Sequence, residues 1–239
     1  MEILYIVMGV ELVVIILGII GIIIARKDLL NFYRSLRPKY SIAVLGTEGS
    51  GKTTLINYLC GEPLPDMHTP TAGARARGKI VCDLSGNQTH YFRSREMYDV
   101  GGDQTGQWKA VIREQNPDGI IYLVDSTNPE RERDGLITLF RIYEELSTEM
   151  IATGINLRAI LILINKADIW GPSEEKRVEM ARRYRDEVVS GLKVEFCRLL
   201  PDLVLLLDWS SLLHAEYQFH LNNVLRRFMA VLTSEDDAK

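Results

Sequence analysis

Apolar positions in this chain follow three patterns, and each predicts a different element. Residues 3–25 read ILYIVMGVELVVIILGIIGIIIA, interrupted only by Gly9, Glu11, Gly18 and Gly21. The run has no polar face, which a core helix would show. As a helix it reaches about 35 Å at ~1.5 Å per residue, enough for a ~30 Å hydrocarbon layer. A cleaved signal peptide starts basic and ends in a small-x-small site; here Glu2 precedes the run and Ala25-Arg26-Lys27 closes it. The segment therefore reads as a retained single membrane span. Downstream, Arg26, Lys27, Arg34, Arg37 and Lys39 stand against one acid, Asp28. Basic flanks stay on the cytoplasmic side, so the N-terminus is expected outside and the body cytoplasmic. Glu11 costs roughly 2.5–3.5 kcal/mol near a span centre, relieved either by proximity to an interface or by a polar contact with a partner helix. Gly18 and Gly21 are three apart, not the four of the small-residue dimer motif.

The second pattern is short, continuous aliphatic runs at 41–45, 120–124, 159–164 and 203–207. Such runs suit strands buried on both faces of a mostly parallel sheet. Two further strand-like runs, 79–84 and 91–100, flank Ser85-Gly86-Asn87, a hairpin signal. The third pattern is helical. Residues 52–59 follow the first strand; Leu136, Leu139, Phe140, Tyr143 and Leu146 recur at helical spacing; Ser173 precedes Glu174 and Glu175 as a helix cap; and a last helix runs over 213–232. Strand–helix alternation predicts an α/β, doubly wound, mostly parallel six-stranded sheet. The domain reading is a span at 3–25, a basic linker at 26–38, a body at 39–232 and an acidic tail at 233–239.

Composition narrows the function classes. The chain has 239 residues, 46% hydrophobic and 25% charged, which excludes wholesale disorder. With 28 basic and 32 acidic side chains the net charge is −4, so no nucleic-acid partner is expected. Cys60, Cys82 and Cys197 lie far apart and offer neither a disulfide framework nor zinc spacing.

After the first strand comes Gly46-Thr47-Glu48-Gly49-Ser50-Gly51-Lys52-Thr53-Thr54. This is G-x-x-x-x-G-K-T between a strand and a helix, a phosphate-binding loop. Glycines let backbone amides turn inward into an anion-binding concavity, and the following helix adds its positive end. Lys52 supplies a point charge to the outer phosphates. Thr53 offers a hydroxyl to Mg²⁺.

Asn165-Lys166-Ala167-Asp168 follows the run 159–164. The guanine edge presents two adjacent donors, which the Asp168 carboxylate can accept together; adenine presents an acceptor there and is rejected. Lys166 can lie along the base or loop, and Asn165 can tie this loop to the phosphate loop. Alone, N-K-x-D is also what a polar turn after a strand looks like. More than 100 residues after a phosphate loop, it selects guanine. Between the two motifs lie Asp99, placed at a strand end to hold a Mg²⁺-bound water, and Gly102, whose N–H can reach a γ-phosphate. Thr71, in Pro70-Thr71-Ala72-Gly73, offers a hydroxyl on a loop that could close over Mg²⁺.

These segments together resemble the ADP-ribosylation-factor branch of the small Ras-like GTPases: GTEGSGKTT, PTAG, DVGG, Trp108, the stretch Asp118-Gly119-Ile120-Ile121-Tyr122-Leu123-Val124-Asp125-Ser126, and NKAD. The likeness covers roughly residues 39 to 232. A span followed by such a domain is similar in layout, and in layout only, to the β subunit of the signal recognition particle receptor. The resemblance implies a P-loop G domain that binds GTP, GDP and Mg²⁺ and orders two switch loops in the GTP state. It makes Thr71 the first-switch Mg²⁺ ligand and begins the second switch at Asp99 and Gly102. It also places a guanine loop after the last strand, at Asp208-Trp209-Ser210-Ser211, with Ser210 and Ser211 near the base by backbone N–H.

Three departures matter. Where the family carries Gln after DVGG to orient the attacking water, this chain has Asp103, with Gln104 one place later. An anion beside developing negative charge is a poorer catalyst, so slow hydrolysis is expected, with Gln104 the alternative. The segment between Thr71 and Asp99 is longer than usual and contains Arg75-Ala76-Arg77. A span stands in place of the myristoylated helix, and Met1-Glu2 does not supply the lipid's glycine. The expected function is a membrane-anchored switch that recruits or regulates an unidentified protein partner; the alternative is a non-hydrolysing GTP-binding receptor or scaffold. A fast motor NTPase is disfavoured by the single P-loop and single span.

Overall fold

The computed structural model describes residues 40–60, 75–77, 94–99, 105–149, 154–171, 173–212 and 217–233. The expected span at 3–25, the linker, the strand at 79–84, Thr71, Gly102, Asp103 and Gln104 lie outside them. Among the described residues no helix is long and apolar enough to cross a membrane.

Six strands form one sheet: β1 (Tyr40–Gly46), β2 (Arg75–Arg77), β3 (Ser94–Asp99), β4 (Gly119–Asp125), β5 (Ala159–Asn165) and β6 (Val204–Trp209). Their spatial order is β2-β3-β1-β4-β5-β6. All neighbours are parallel except β2 and β3. The aliphatic runs of β1, β4 and β5 are buried at every position, which is why they read as continuous rather than alternating.

The two faces are covered by different helices. On one, Ile42, Val44, Ile121, Leu123, Leu161 and Leu163 pack against α1 (Lys52–Cys60) and the C-terminal helix. On the other, Ala43, Leu45, Ile120, Tyr122, Ile160 and Ile162 meet α2 (Thr105–Gln115), α3 (Pro129–Glu149), α4 (Glu174–Tyr184) and α5 (Ser190–Leu199); the C-terminal helix is α6 (Gln218–Thr233). The strand period of two thus sends alternate residues to two cores, the doubly wound arrangement expected. Trp108 of α2 is fully buried and meets Tyr122 edge-on, ring centres 5.9 Å apart.

The chain leaves β1 for β3 on one side and β4 on the other, so the strand order reverses at β1. Ligands of open α/β sheets sit at the carboxyl ends of strands beside such a point, which is where the 46–54 loop lies.

Two details differ from the pattern reading and two extend it. The strand partnering β3 includes Arg75–Arg77, too short and polar to announce itself. Its pairs, Arg75 with Asp99 and Arg77 with Met97, are equidistant in sequence from Asn87, the hairpin signal. Ser173 does stand before α4, but its hydroxyl donates to the Glu175 carboxylate (2.8 Å) instead of capping a backbone N–H. α4 continues through a π-helical turn (Arg185–Val189) into α5. The last helix is described from Gln218, with 213–216 outside the described residues.

Candidate functional site

The loop between β1 and α1 bends at glycines that no other residue replaces. Gly46 has φ +146° and a Cβ there would lie 2.4 Å from the Leu123 carbonyl oxygen. Gly51 has φ +99° and a Cβ would lie 2.4 Å from Asn165 Nδ2. Gly49, between them, has φ +77°. The Lys52 ammonium is buried and donates to the carbonyls of Gly46 (3.0 Å) and Thr47 (2.6 Å), folding back over its own loop. Ser50 Oγ is buried without a hydrogen-bond partner among the described residues. Glu48, Thr53 and Thr54 are partly exposed along the same segment.

The second loop begins at the end of β5. Asn165, 4% exposed, donates from Nδ2 to the Ser50 carbonyl (2.9 Å) and accepts the Leu212 N–H on Oδ1 (3.2 Å). One side chain therefore fastens the phosphate loop, the NKAD turn and the segment after β6. Asp168, on the 3₁₀ turn Ala167–Trp170, accepts the Ser211 hydroxyl at 2.5 Å. Ser210 Oγ is buried and unpartnered among the described residues.

The Ser210 N–H, expected near the base, donates to the Ile164 carbonyl at 2.6 Å, continuing the ladder between β5 and β6, while its carbonyl accepts from Ala167 N–H. Ser211 contacts Asp168 through its hydroxyl. Lys166, in the left-handed region at φ 60°, lies along the loop and pairs with Asp125 Oδ2 at 2.5 Å. Burial pushes the Asp125 carboxyl up, but bonds from Lys166 and Thr127 outweigh it and leave it below the ordinary range. Ser126 Oγ donates to the Lys166 carbonyl (2.9 Å), so the end of β4 braces the NKAD turn.

Asp99 closes β3 beside Val44 of β1, two residues before Gly46, so its backbone lies next to the phosphate loop. Among the described residues no cluster of His, Cys, Asp and Glu could hold a metal by itself.

Two residues that sequence reasoning missed complete the surroundings. Arg177 of α4 is 5% exposed; its Nη1 donates to the Gly171 carbonyl (2.6 Å) and its guanidinium lies 5.1 Å from the Trp209 ring centre and 4.7 Å from that of Tyr217. It thereby links the loop after Asp168 to the segment carrying Ser210. Trp209 also stacks on His220, whose Nε2 lies 2.9 Å from Asp208 Oδ1. Glu132 of α3 is completely buried and accepts hydrogen bonds from Thr47 Oγ1 and, at 3.3 Å, from the Tyr122 hydroxyl. It stands in the first turn of α3, where an acid ordinarily pairs with the helix dipole.

The architecture agrees with what comparison finds. The sequence matches the ADP-ribosylation factor family over residues 27–198. ADP-ribosylation factor-like protein 13B of Chlamydomonas reinhardtii is 31% identical over 176 residues, 71% of this chain and 28% of that protein. An ADP-ribosylation factor of Encephalitozoon cuniculi is 31% identical over 151 residues, 62% of this chain and 61% of that one. The chain thus spans less than two thirds of either relative's length. The structure of the Arl6 BBS3 small GTPase from Trypanosoma brucei with bound GppNp covers 80% of this chain and 98% of its own, at 18% identity and a TM-score of 0.47. The family match, which spans β1 to β5 and stops before β6, is decisive: the chain belongs to the ADP-ribosylation factor family.

Proposed function

We propose that this chain is a membrane-anchored guanine-nucleotide switch that hydrolyses GTP slowly and recruits or regulates a protein partner at the membrane. The observation that supports it most is Asn165, bonded at once to the phosphate loop and to the segment after β6. That side chain fixes the distance between a polyphosphate cradle and a carboxylate able to read guanine.

In this reading the amides of 46–54 hold the phosphates, and Lys52 turns from the Gly46 and Thr47 carbonyls toward them. Asp168 accepts the two guanine donors while the Ser211 hydroxyl holds its other side. Mg²⁺, when bound, neutralises phosphate charge, with Thr53, Thr71 and Asp99 as its protein-side partners. Asp103 stands where a neutral water-orienting side chain would serve hydrolysis, so the unaided rate is low. Residues 3–25 anchor the chain, N-terminus outside, and leave the GTP-binding body cytoplasmic.

Single-turnover hydrolysis of [γ-³²P]GTP by the full chain in detergent tests the catalytic half. A rate on the order of 10⁻⁴ s⁻¹ or below is expected, the range of an unassisted switch of this superfamily. Turnover near one per second without a partner refutes slow hydrolysis. Bound GTP with no phosphate release under any condition favours the receptor or scaffold reading, to which Asp103 also lends itself. Alkaline carbonate extraction of membranes tests the anchor: retention in the pellet is expected, and release contradicts it.

A further inference from the structure

Glu132 is a carboxylate in an unusual place. It is fully buried, one layer beneath the phosphate loop. Its Oε1 accepts the hydroxyl of Thr47, the first residue after Gly46, and its Oε2 accepts the Tyr122 hydroxyl at 3.3 Å. The carbonyl of the same Thr47 accepts the Lys52 ammonium at 2.6 Å. Tyr122, Glu132, Thr47 and Lys52 therefore form one chain of contacts from the sheet to the loop. The chain has its own space: one turn along α3 stands Gly135, where a Cβ would lie 2.0 Å from the Tyr122 hydroxyl. A carboxylate accepting hydroxyls holds them more strongly than a neutral group. A carboxylate sealed from water also repels any anion bound just above it.

We propose that Glu132 is a positioning residue of the phosphate loop, fixing Thr47 from beneath, and that polyphosphate binding is coupled to its protonation. This rests on the reading of the loop as a triphosphate site. Among the described residues, the titratable and charged groups that act on Glu132 and its partners are Tyr122 and Asp125 from β4, Tyr184 from α4, Arg131 from its own helix and Lys52, whose ammonium sits on the Thr47 carbonyl. Burial raises the Glu132 carboxyl above the ordinary range, with the Thr47 and Tyr122 bonds pulling the other way. A polyphosphate nearby raises it further, since like charges favour the neutral form. The sign follows. Affinity is highest below the value of the free protein, falls as pH rises through it, and levels off above the value of the complex. Each unit between the two values is worth about tenfold in affinity.

The experiment measures GTP and guanosine binding by calorimetry on the full chain in detergent from pH 5.5 to 8.5. Wild type is compared with Glu132→Gln, Thr47→Ser and Thr47→Val. Gln keeps an acceptor for Thr47 and cannot ionise. At pH 8 Glu132→Gln is expected to bind GTP about three- to tenfold tighter than wild type, with a flatter pH profile and unchanged guanosine affinity. Titration of the γ-phosphate is common to both proteins and cancels in the comparison. Thr47→Val is expected to lose GTP affinity at every pH, and Thr47→Ser, which keeps the hydroxyl, to bind GTP more tightly than Thr47→Val. Superimposable GTP profiles for wild type and Glu132→Gln overturn the proposal. Should Glu132→Gln fail to fold by circular dichroism, the Thr47 pair decides: wild-type GTP affinity in Thr47→Val overturns it, and loss in Val with rescue in Ser supports it. Wild type that binds no GTP at any pH is a different result, and refutes the triphosphate site itself.

Discussion

Replacing Asn165 by alanine removes both bonds of the side chain that joins three loops. The Ser50 carbonyl and the Leu212 N–H lose their partner in a buried setting, Ser50 at 0% and Leu212 at 4% exposure. A buried polar group left unpaired costs about 1–3 kcal/mol, so the pair amounts to about 2–6 kcal/mol. In a domain of this size each kcal/mol moves the melting temperature by about 2–4 °C, which gives a fall of roughly 4–24 °C. Asn165→Asp is the sharper test. Aspartate keeps an oxygen for the Leu212 N–H but sets the second against the Ser50 carbonyl, so it is expected to destabilise at least as much as alanine. Guanine-nucleotide affinity falls with the loss of register between the loops, by at least about tenfold, the equivalent of ~1.4 kcal/mol. Thermal unfolding by circular dichroism and calorimetric titration of the full chain in detergent measure both. Asn165→Ala within 1–2 °C of wild type, or Asn165→Asp clearly more stable than it, refutes the bridging account.

Asp168→Asn is expected to shift preference from guanine toward xanthine, because an amide donor then meets the carbonyl at position 2; unchanged GTP affinity in a competition assay contradicts the placement of the base. Gly135→Ala is expected to destabilise by about 1–3 kcal/mol through the Tyr122 hydroxyl, despite alanine's better helix propensity. In a Tyr122→Phe background the nearest atom is 3.3 Å away, so the same change becomes neutral or stabilising in denaturant titrations; equal cost in both backgrounds refutes the clash. The Asp125 carboxyl lies below the ordinary 3.8 in the folded chain. Its contribution is thus present above that value and lost as pH falls through the folded one. The stability difference between wild type and Asp125→Asn is expected to shrink between pH 5 and 2, and a constant difference contradicts the sign.

How much was legible in the sequence depended on whether the signal was local. Strands β1, β4 and β5 announced themselves because burial on both faces forces unbroken aliphatic runs. The glycine loop was legible because backbone conformation fixes glycine at fixed spacing, and the expected tie of Asn165 to that loop is made through its bond to the Ser50 carbonyl. Strand β2 was not, since three residues pairing antiparallel at an edge carry no period of their own. The continuation of α4 into α5 was hidden by Ser190-Gly191, poor helix formers that packing overrides. Arg182, Arg183 and Arg185 are exposed, with Arg183 paired to Glu187 and Arg185 to Asp186. The roles of Glu132 and Arg177 were illegible for another reason. A charged residue's burial depends on partners far away in sequence: Thr47, 85 positions from Glu132, and Trp209 beside Arg177. Nothing in the local pattern distinguishes them from the exposed charges around them.

Calorimetric titration of the full chain with GTP and with ATP, Mg²⁺ present, tests the central claim most directly. The account predicts GTP binding at least about a hundredfold tighter than ATP, because the half-buried Asp168 carboxylate, which would accept guanine's two adjacent donors, would face an acceptor in adenine. Equal affinity for the two nucleotides, or no binding of either by the folded chain, contradicts it.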